Sequence, residues 1–286
     1  MSLYPIVLGL VAAAAFGVVD FLCPPAVKKV GAMRTLFYYS VLGAVFLLIF
    51  SGFTGQLRVS SIPFFELTVI CLGGLFGFIA FFRSFRKGKL SVVSPISASW
   101  AAVTVITSVI LFGERLSPMQ TIGVILAVAG TALVSFRYSE LRHPGSTRKI
   151  YAGVPEAVAA MLIWGVTWAF YKPVVLAMGI TLPVIAYLVF IVAAVGITSP
   201  LTKTSLSLSK KGALFLIAGI AFFSVAGNAV YNVGMQTEMV SIVAPISSLS
   251  PLVSVAMARY LRREKTEFNQ NIGILFIAAA LVLLAI

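Results

Sequence analysis

Ten stretches of this chain are apolar over a length that leaves them one kind of surroundings. They fall at about 4–22, 32–51, 62–82, 92–112 and 120–136, then at 154–171, 182–198, 214–235, 242–261 and 268–286. Crossing the hydrocarbon core of a bilayer takes roughly 20 residues of helix. Within lipid every backbone N–H and C=O must pair internally, so only helices or closed barrels span it. The runs are continuous rather than alternating every second residue, which selects helices over a barrel. Charge agrees, because only 10% of the 286 residues are charged and 60% are hydrophobic. A water-facing domain carries about 25% charged residues. The expected fold class is an all-α integral membrane protein with ten transmembrane helices.

The net charge of +13 would point to nucleic acid in a soluble protein. Here the basic residues sit in short loops between apolar runs, where they orient a membrane protein instead, so no nucleic-acid partner is expected. All but three of the 21 Lys and Arg lie in or beside odd-numbered loops; Arg58, Arg115 and Lys172 are the exceptions. Cytoplasmic loops hold the Lys/Arg excess, so the odd loops are expected in the cytoplasm and both termini outside the cell membrane. Cys23 and Cys71 lie in apolar runs and His143 lies in a polar loop. They make no metal-ligand spacing, and no cofactor is expected. The amino terminus lacks a basic stretch followed by a small-residue cleavage site, so the first run reads as a retained helix.

The most polar linker, RYSELRHPGSTRK, separates five runs from five. It divides the chain into a first unit at 1–136, a linker at 137–150 and a second unit at 151–286. The two units resemble each other. A shift of 150 positions lays Ser91–Leu133 on Ser241–Leu283 without a gap. It puts Pro95 on Pro245, Ser97 on Ser247, Glu114 on Glu264, Gln120 on Gln270 and Gly123 on Gly273. A shift of 148 lays Phe16-Gly17-Val18 on Trp164-Gly165-Val166. Apolar helices match by chance; polar, Pro and Gly matches held in register do not. With five helices in each unit, the second copy enters the membrane from the opposite side. The expectation is two five-helix inverted repeats, an arrangement that secondary transporters use to alternate access to a central site.

These aligned residues carry a resemblance to a known family. SPISASWAAVTVITSVILFGERLSPMQTIGVILAVAGTALV in the first unit and APISSLSPLVSVAMARYLRREKTEFNQNIGILFIAAALVLL in the second resemble the signature of EamA domains. IWGVTWAFYKPVV resembles the start of such a domain. The chain is thus similar to the ten-helix drug/metabolite transporters with two EamA domains. There are departures: Pro251 has Ala101 as its counterpart, and Phe16 stands where a Trp is expected. The resemblance implies a secondary transporter, often an exporter, of an amino acid or another small metabolite, held in a cavity between the halves. It also implies cytoplasmic termini, against the loop charges, and the charges of this chain are followed. A channel or passive facilitator and a non-transporting membrane scaffold are the alternatives. An enzyme is not expected: the sequence has no phosphate-cradling Gly loop and no Ser/His/Asp set.

An ionised group at a helix centre costs about 2.5–3.5 kcal/mol on the insertion scale, so each one inside the membrane is a functional candidate. Asp20 leads, four residues after Phe16 and on the same helical face. Its repeat partner is Trp168, four residues after Trp164. Carboxylate and indole suit a cationic or zwitterionic solute, or Asp20 carries a coupling proton. The bland alternative for Asp20 is a cap or pair near Lys28 and Lys29. Asn228, Tyr231, Asn232 and Met235 follow helical spacing and make a polar-aromatic stripe that must face protein or water. Ser97 and Ser247 follow Pro95 and Pro245, whose missing donors free backbone carbonyls; close helix packing explains the serines equally well. Trp100, Tyr38, Tyr39 and Tyr187 line either the cavity or an interfacial belt. Lys172 reads as a snorkelling lysine, and Glu114 and Glu264 as local pairs with Arg115 and Lys265. Glu66, Glu156 and Glu238 read as interfacial. The expected partners are a small-molecule substrate and the lipid bilayer, with the chain a monomer or homodimer.

Overall fold

A computed structural model describes residues 3–55, 61–87, 96–135, 153–201, 205–207, 211–237, 240–262 and 267–285. The linker at 137–150 with His143, and Pro95, Glu238, Glu264 and Lys265, lie outside the described residues. The described residues form helices and no strand. The first half holds α1 (Leu3–Val30), α2 (Ala32–Thr54), α3 (Phe64–Lys87), α4 (Trp100–Phe112) and α5 (Pro118–Val134). The second holds α6 (Val154–Ala169), α7 (Tyr171–Met178), α8 (Leu182–Leu201), α9 (Lys211–Thr237), α10 (Val240–Ser247), α11 (Ser250–Arg262) and α12 (Phe268–Ala285). Seven helical stretches are long and apolar enough to cross a membrane, and three shorter apolar ones cover Ile96–Phe112, Pro118–Val134 and Phe268–Leu284. Large apolar side chains such as Phe53, Phe64, Phe215 and Phe268 point outward. An outer surface of that kind suits hydrocarbon rather than water.

Three of the expected continuous helices are interrupted. The run at 154–171 extends to Met178 but breaks at Phe170, where a tight Phe170 N–H to Thr167 carbonyl bond replaces the regular ladder. Pro173, three residues on, has no donor to offer the carbonyl of Ala169. The run at 242–261 divides between α10 and α11, and Leu249 N–H bonds the Ile246 carbonyl at 3.2 Å. The first half breaks at the matching place, with Ser99 N–H on the Ile96 carbonyl at 3.2 Å. Pro251 lacks a donor at the break in the second half, but its counterpart at the break in the first half is Ala101. The interruption therefore belongs to the repeat and not to the proline.

Packing follows the repeat as well. α1 packs on α9 and α11, and their counterparts do likewise: α6 packs on α3 and α4. α2 packs on α8 and α5 on α12, each against its own counterpart, while α4 packs on α10. At the α5–α12 crossing, Gly123 faces Ala280 and Leu284 while Gly273 faces Gly130 and Val134. Gly130 and Gly273 are needed because the backbones touch: a Cβ on Gly273 would lie 2.7 Å from the Gly130 carbonyl oxygen. These contacts run the two helices antiparallel. The helix starts match too. Ser117 N–H bonds the Gln120 side chain at 2.9 Å, and Glu267 N–H bonds that of Gln270 at 3.0 Å. In the first, Ser117 Oγ also accepts from Gln120 N–H, closing a capping box.

Candidate functional site

α1 turns one stripe outward, with Tyr4, Val7 and Val11 about half exposed. At 3.6 residues per turn, Asp20 falls on the opposite side of the helix. It is exposed nonetheless. Its exposed carboxylate therefore lies on the bundle side of α1 and not on the lipid side. Gly17, one turn earlier, lets α1 come against Val253 and the Ser250 carbonyl of α11. That approach brings Ser250 within reach, and its hydroxyl donates to Asp20 Oδ2 at 2.7 Å. The second carboxylate oxygen keeps its lone pairs for another donor.

Trp168 is the hub of an aromatic cluster. It stacks on Tyr171 (4.7 Å, 21°), inclines against Trp100 (5.4 Å, 30°), and takes the edge of Tyr231 (5.0 Å, 74°). Phe16, one turn from Asp20, meets it at 6.5 Å. Edge and offset arrangements of this kind are each worth about 0.5–1.5 kcal/mol beyond burial. Tyr171 follows Trp168 by three residues, so the two rings share one face of the chain and meet there. Tyr231 is fully buried, and its hydroxyl has no hydrogen-bond partner among the described residues. Gly165 gives α6 the same close seat on Val103 and the Trp100 carbonyl that Gly17 gives α1 on Val253 and Ser250.

The remaining candidates scatter. Trp164 turns away from the hub and packs on Gly77, Phe78 and Phe81 of α3. Its counterpart Phe16 packs likewise on Gly227 of α9, 150 positions after Gly77. Tyr187 packs against Gly74 and shares a cluster with Trp168 and Tyr171. Asn232 is fully buried; its Nδ2 donates to the Ile180 carbonyl at 2.7 Å, tying α9 to the α7–α8 turn, while its Oδ1 has no partner among the described residues. Asn228 and Ser247 donate to their own helices, at the Ser224 and Val243 carbonyls. Ser97 is buried, its hydroxyl unpartnered among the described residues. Tyr38 holds the Leu206 carbonyl at 2.9 Å. Phe16, Trp100, Trp168 and Tyr231 are thus brought together, with Asp20 one turn along α1 from Phe16, and Trp164, Asn228 and Ser247 take structural contacts elsewhere.

Sequence reasoning missed Tyr171 and Ser250, and it misplaced Glu114. Glu114 does not serve only its own hairpin. It crosses to the second half and accepts from the Val240 and Ser241 N–H groups (2.8 and 2.9 Å) and from the Ser241 hydroxyl (2.5 Å). Lys172 Nζ stands 3.8 Å from it, so this lysine points at a buried carboxylate rather than only at the membrane surface. Glu156, read as interfacial, pairs with Lys87 across α3 and α6.

Two stretches, residues 3–136 and 152–286, each match the EamA-like transporter family. An uncharacterized protein of Methanocaldococcus jannaschii is 36% identical over 59 residues, which is 21% of this chain and 43% of that protein. The match thus spans less than half of that relative's length. The crystal structure of another protein, 16% identical, superposes with a TM-score of 0.79 over 99% of this chain and 96% of its own. That likeness extends the shared fold to the whole molecule.

Proposed function

We propose that this chain, which belongs to the EamA-like transporter family, is a secondary transporter of a small cationic or zwitterionic metabolite. An amino acid or amine leads that class, and export is the favoured direction. It is a multi-pass membrane protein of a family of transporters, not generally of enzymes. The three shorter apolar helices bring the spans to ten, in two five-helix units inserted in opposite senses. The antiparallel pairing of α5 with its counterpart α12 supports that reading. So does the way the packing pairs map onto one another when the halves are exchanged. The loop charges put the odd-numbered loops in the cytoplasm and both termini outside.

One observation carries the substrate class. Asp20 is exposed on the inward side of α1, one turn from Phe16, which touches the Trp168 cluster. A carboxylate beside aromatic surface recognises an ammonium group by charge and by cation–π attraction. Alternating access then exposes this place to each side in turn, and Asp20 takes either the substrate amine or a coupling proton.

The test is counterflow. Protein in liposomes preloaded with unlabelled amino acids or amines should take up the matching labelled solute transiently and saturably. Flux without counterflow stimulation, or no saturable flux across the panel, would refute the proposal.

A further inference from the structure

We infer that Glu114 is the latch that holds one mouth of the transport path shut, working from the first half on the second. The latch presupposes the transport function proposed for this chain. α1 lies parallel to α10 and α11, since Gly9 faces Ile246 and Gly17 faces Val253. On that scale Val240 is level with the first turn of α1, and Asp20 lies about 25 Å further along, at 1.5 Å per residue. The Glu114 contact and Asp20 therefore mark two different depths of the same interface.

Burial differs sharply between these depths. All eight residues of α10 are buried. In α11, on the level of Asp20, none of residues 250–257 is buried. The counterpart of α11 is α4, where Ala101, Thr104, Val105, Thr107 and Ser108 are buried. The two halves are thus alike in their breaks and unlike in their exposure. Side chains are part-exposed along α11 and buried throughout α10, which sets the looser end of the path beside α11.

Glu114 sits at the sealed end. Its carboxylate fills the start of α10 by accepting two N–H groups and one hydroxyl. The first N–H groups of a helix have no partner of their own, and the helix dipole favours an anion there. Lys172, from the start of α7, adds a cation on the same carboxylate. One side chain therefore fastens three segments: the α4–α5 hairpin, α10 and α7. Beneath it lie Tyr231 and Met235, both fully buried. Opening this mouth requires the hairpin to leave α10, and these hydrogen bonds are what must break.

The test uses thiol accessibility of the full chain in liposomes, so it needs no knowledge of the solute. Cys71 is replaced by Ala in every protein compared. Both reporters stand in a C23A background, because Cys23 packs into the apolar cluster of α2, α8 and α9. S254C, one turn after Ser250 on α11, reports the open side and M235C the sealed side. A small hydrophilic thiosulfonate is the probe. With Glu114 in place, S254C is expected to react at least tenfold faster than M235C. Glu114→Ala should raise the M235C rate at least tenfold and lower the S254C rate, and Ser241→Ala should do the same to a lesser degree. Rates that stay within twofold would overturn the inference. So would a rise at both reporters, which is what general loosening gives. If counterflow is seen and the rates do not move, the latch fails while the transport reading stands. If the rates shift oppositely and no solute flows, the reverse holds.

Discussion

Ser250 donates to Asp20 Oδ2 at 2.7 Å, and 150 positions before Ser250 stands Trp100, which meets Trp168 at 5.4 Å. Trp168 is the repeat partner of Asp20. One contact of the fold thus appears twice, once as a hydrogen bond to a carboxylate and once as two indoles face to face. In the first copy the carboxylate is exposed, and in the second the rings pack on one another. A bundle that is symmetric in backbone and asymmetric in chemistry has a polar pole and an aromatic pole on either side of its middle.

The polar pole should govern recognition of the amine. Asp20→Asn keeps the shape and removes the charge. It should weaken apparent affinity for a cationic or zwitterionic solute by about 10- to 100-fold, matching the 1.5–3 kcal/mol of hydrogen bonds to charged groups. Ser250→Ala should cost less, because water replaces the hydroxyl. Concentration dependence of counterflow measures both; equal affinity in wild type and Asp20→Asn would remove Asp20 from the site.

The two tryptophans of α6 should separate by role. Trp168→Leu removes the hub shared by Tyr171, Trp100, Tyr231 and Phe16, and counterflow should fall at least tenfold. Trp164→Leu removes packing on Gly77, Phe78 and Phe81, so it should lower the thermal midpoint while affinity stays within about twofold. Swapped outcomes would mean that the cluster is only packing.

The α5–α12 crossing has no room for a side chain. Gly273→Val drives a branched group into the Gly130 carbonyl and Val134, and overpacking costs about 1–3 kcal/mol. Thermal unfolding in detergent should fall accordingly, with loss of monodispersity on size exclusion. An unchanged midpoint would show that the helices do not meet this closely.

The start of α5 offers a mild control. Ser117→Ala breaks the capping box, a loss of about 1 kcal/mol. The melting temperature should drop slightly while the counterflow rate holds. A large fall in transport would assign the hairpin a part beyond capping.

Much of the fold is readable in the chain. Lipid as solvent follows from scarce charge and long apolar runs. The register of 150 drawn from Glu114, Gln120 and Gly123 reappears in the paired breaks at Ser99 and Leu249 and in the caps at Gln120 and Gln270. Phe16 and Asp20 are legible because helical spacing puts them on one face. Tyr171 escapes notice because it ends the apolar run beside Lys172 and Pro173, although a residue three positions after Trp168 shares its helical face. Glu114 misleads because its nearest charge in sequence, Arg115, is not its partner in space: its ligands lie 126 and 127 positions away. Trp164 looks equivalent to Trp168, but one turn of helix is enough to change what an indole touches.

Transport of the proposed kind depends on solute lodging beside Asp20, whose carboxylate meets Ser250, and a cysteine at Ser254, one turn further along α11, reports that place. In a C23A/C71A/S254C protein that carries out counterflow, saturating solute should slow alkylation of the thiol at least fivefold. The protection should vanish in Asp20→Asn. If the thiol reacts at the same rate with and without a solute that the protein transports, the solute travels by another route and Asp20 does not mark its site.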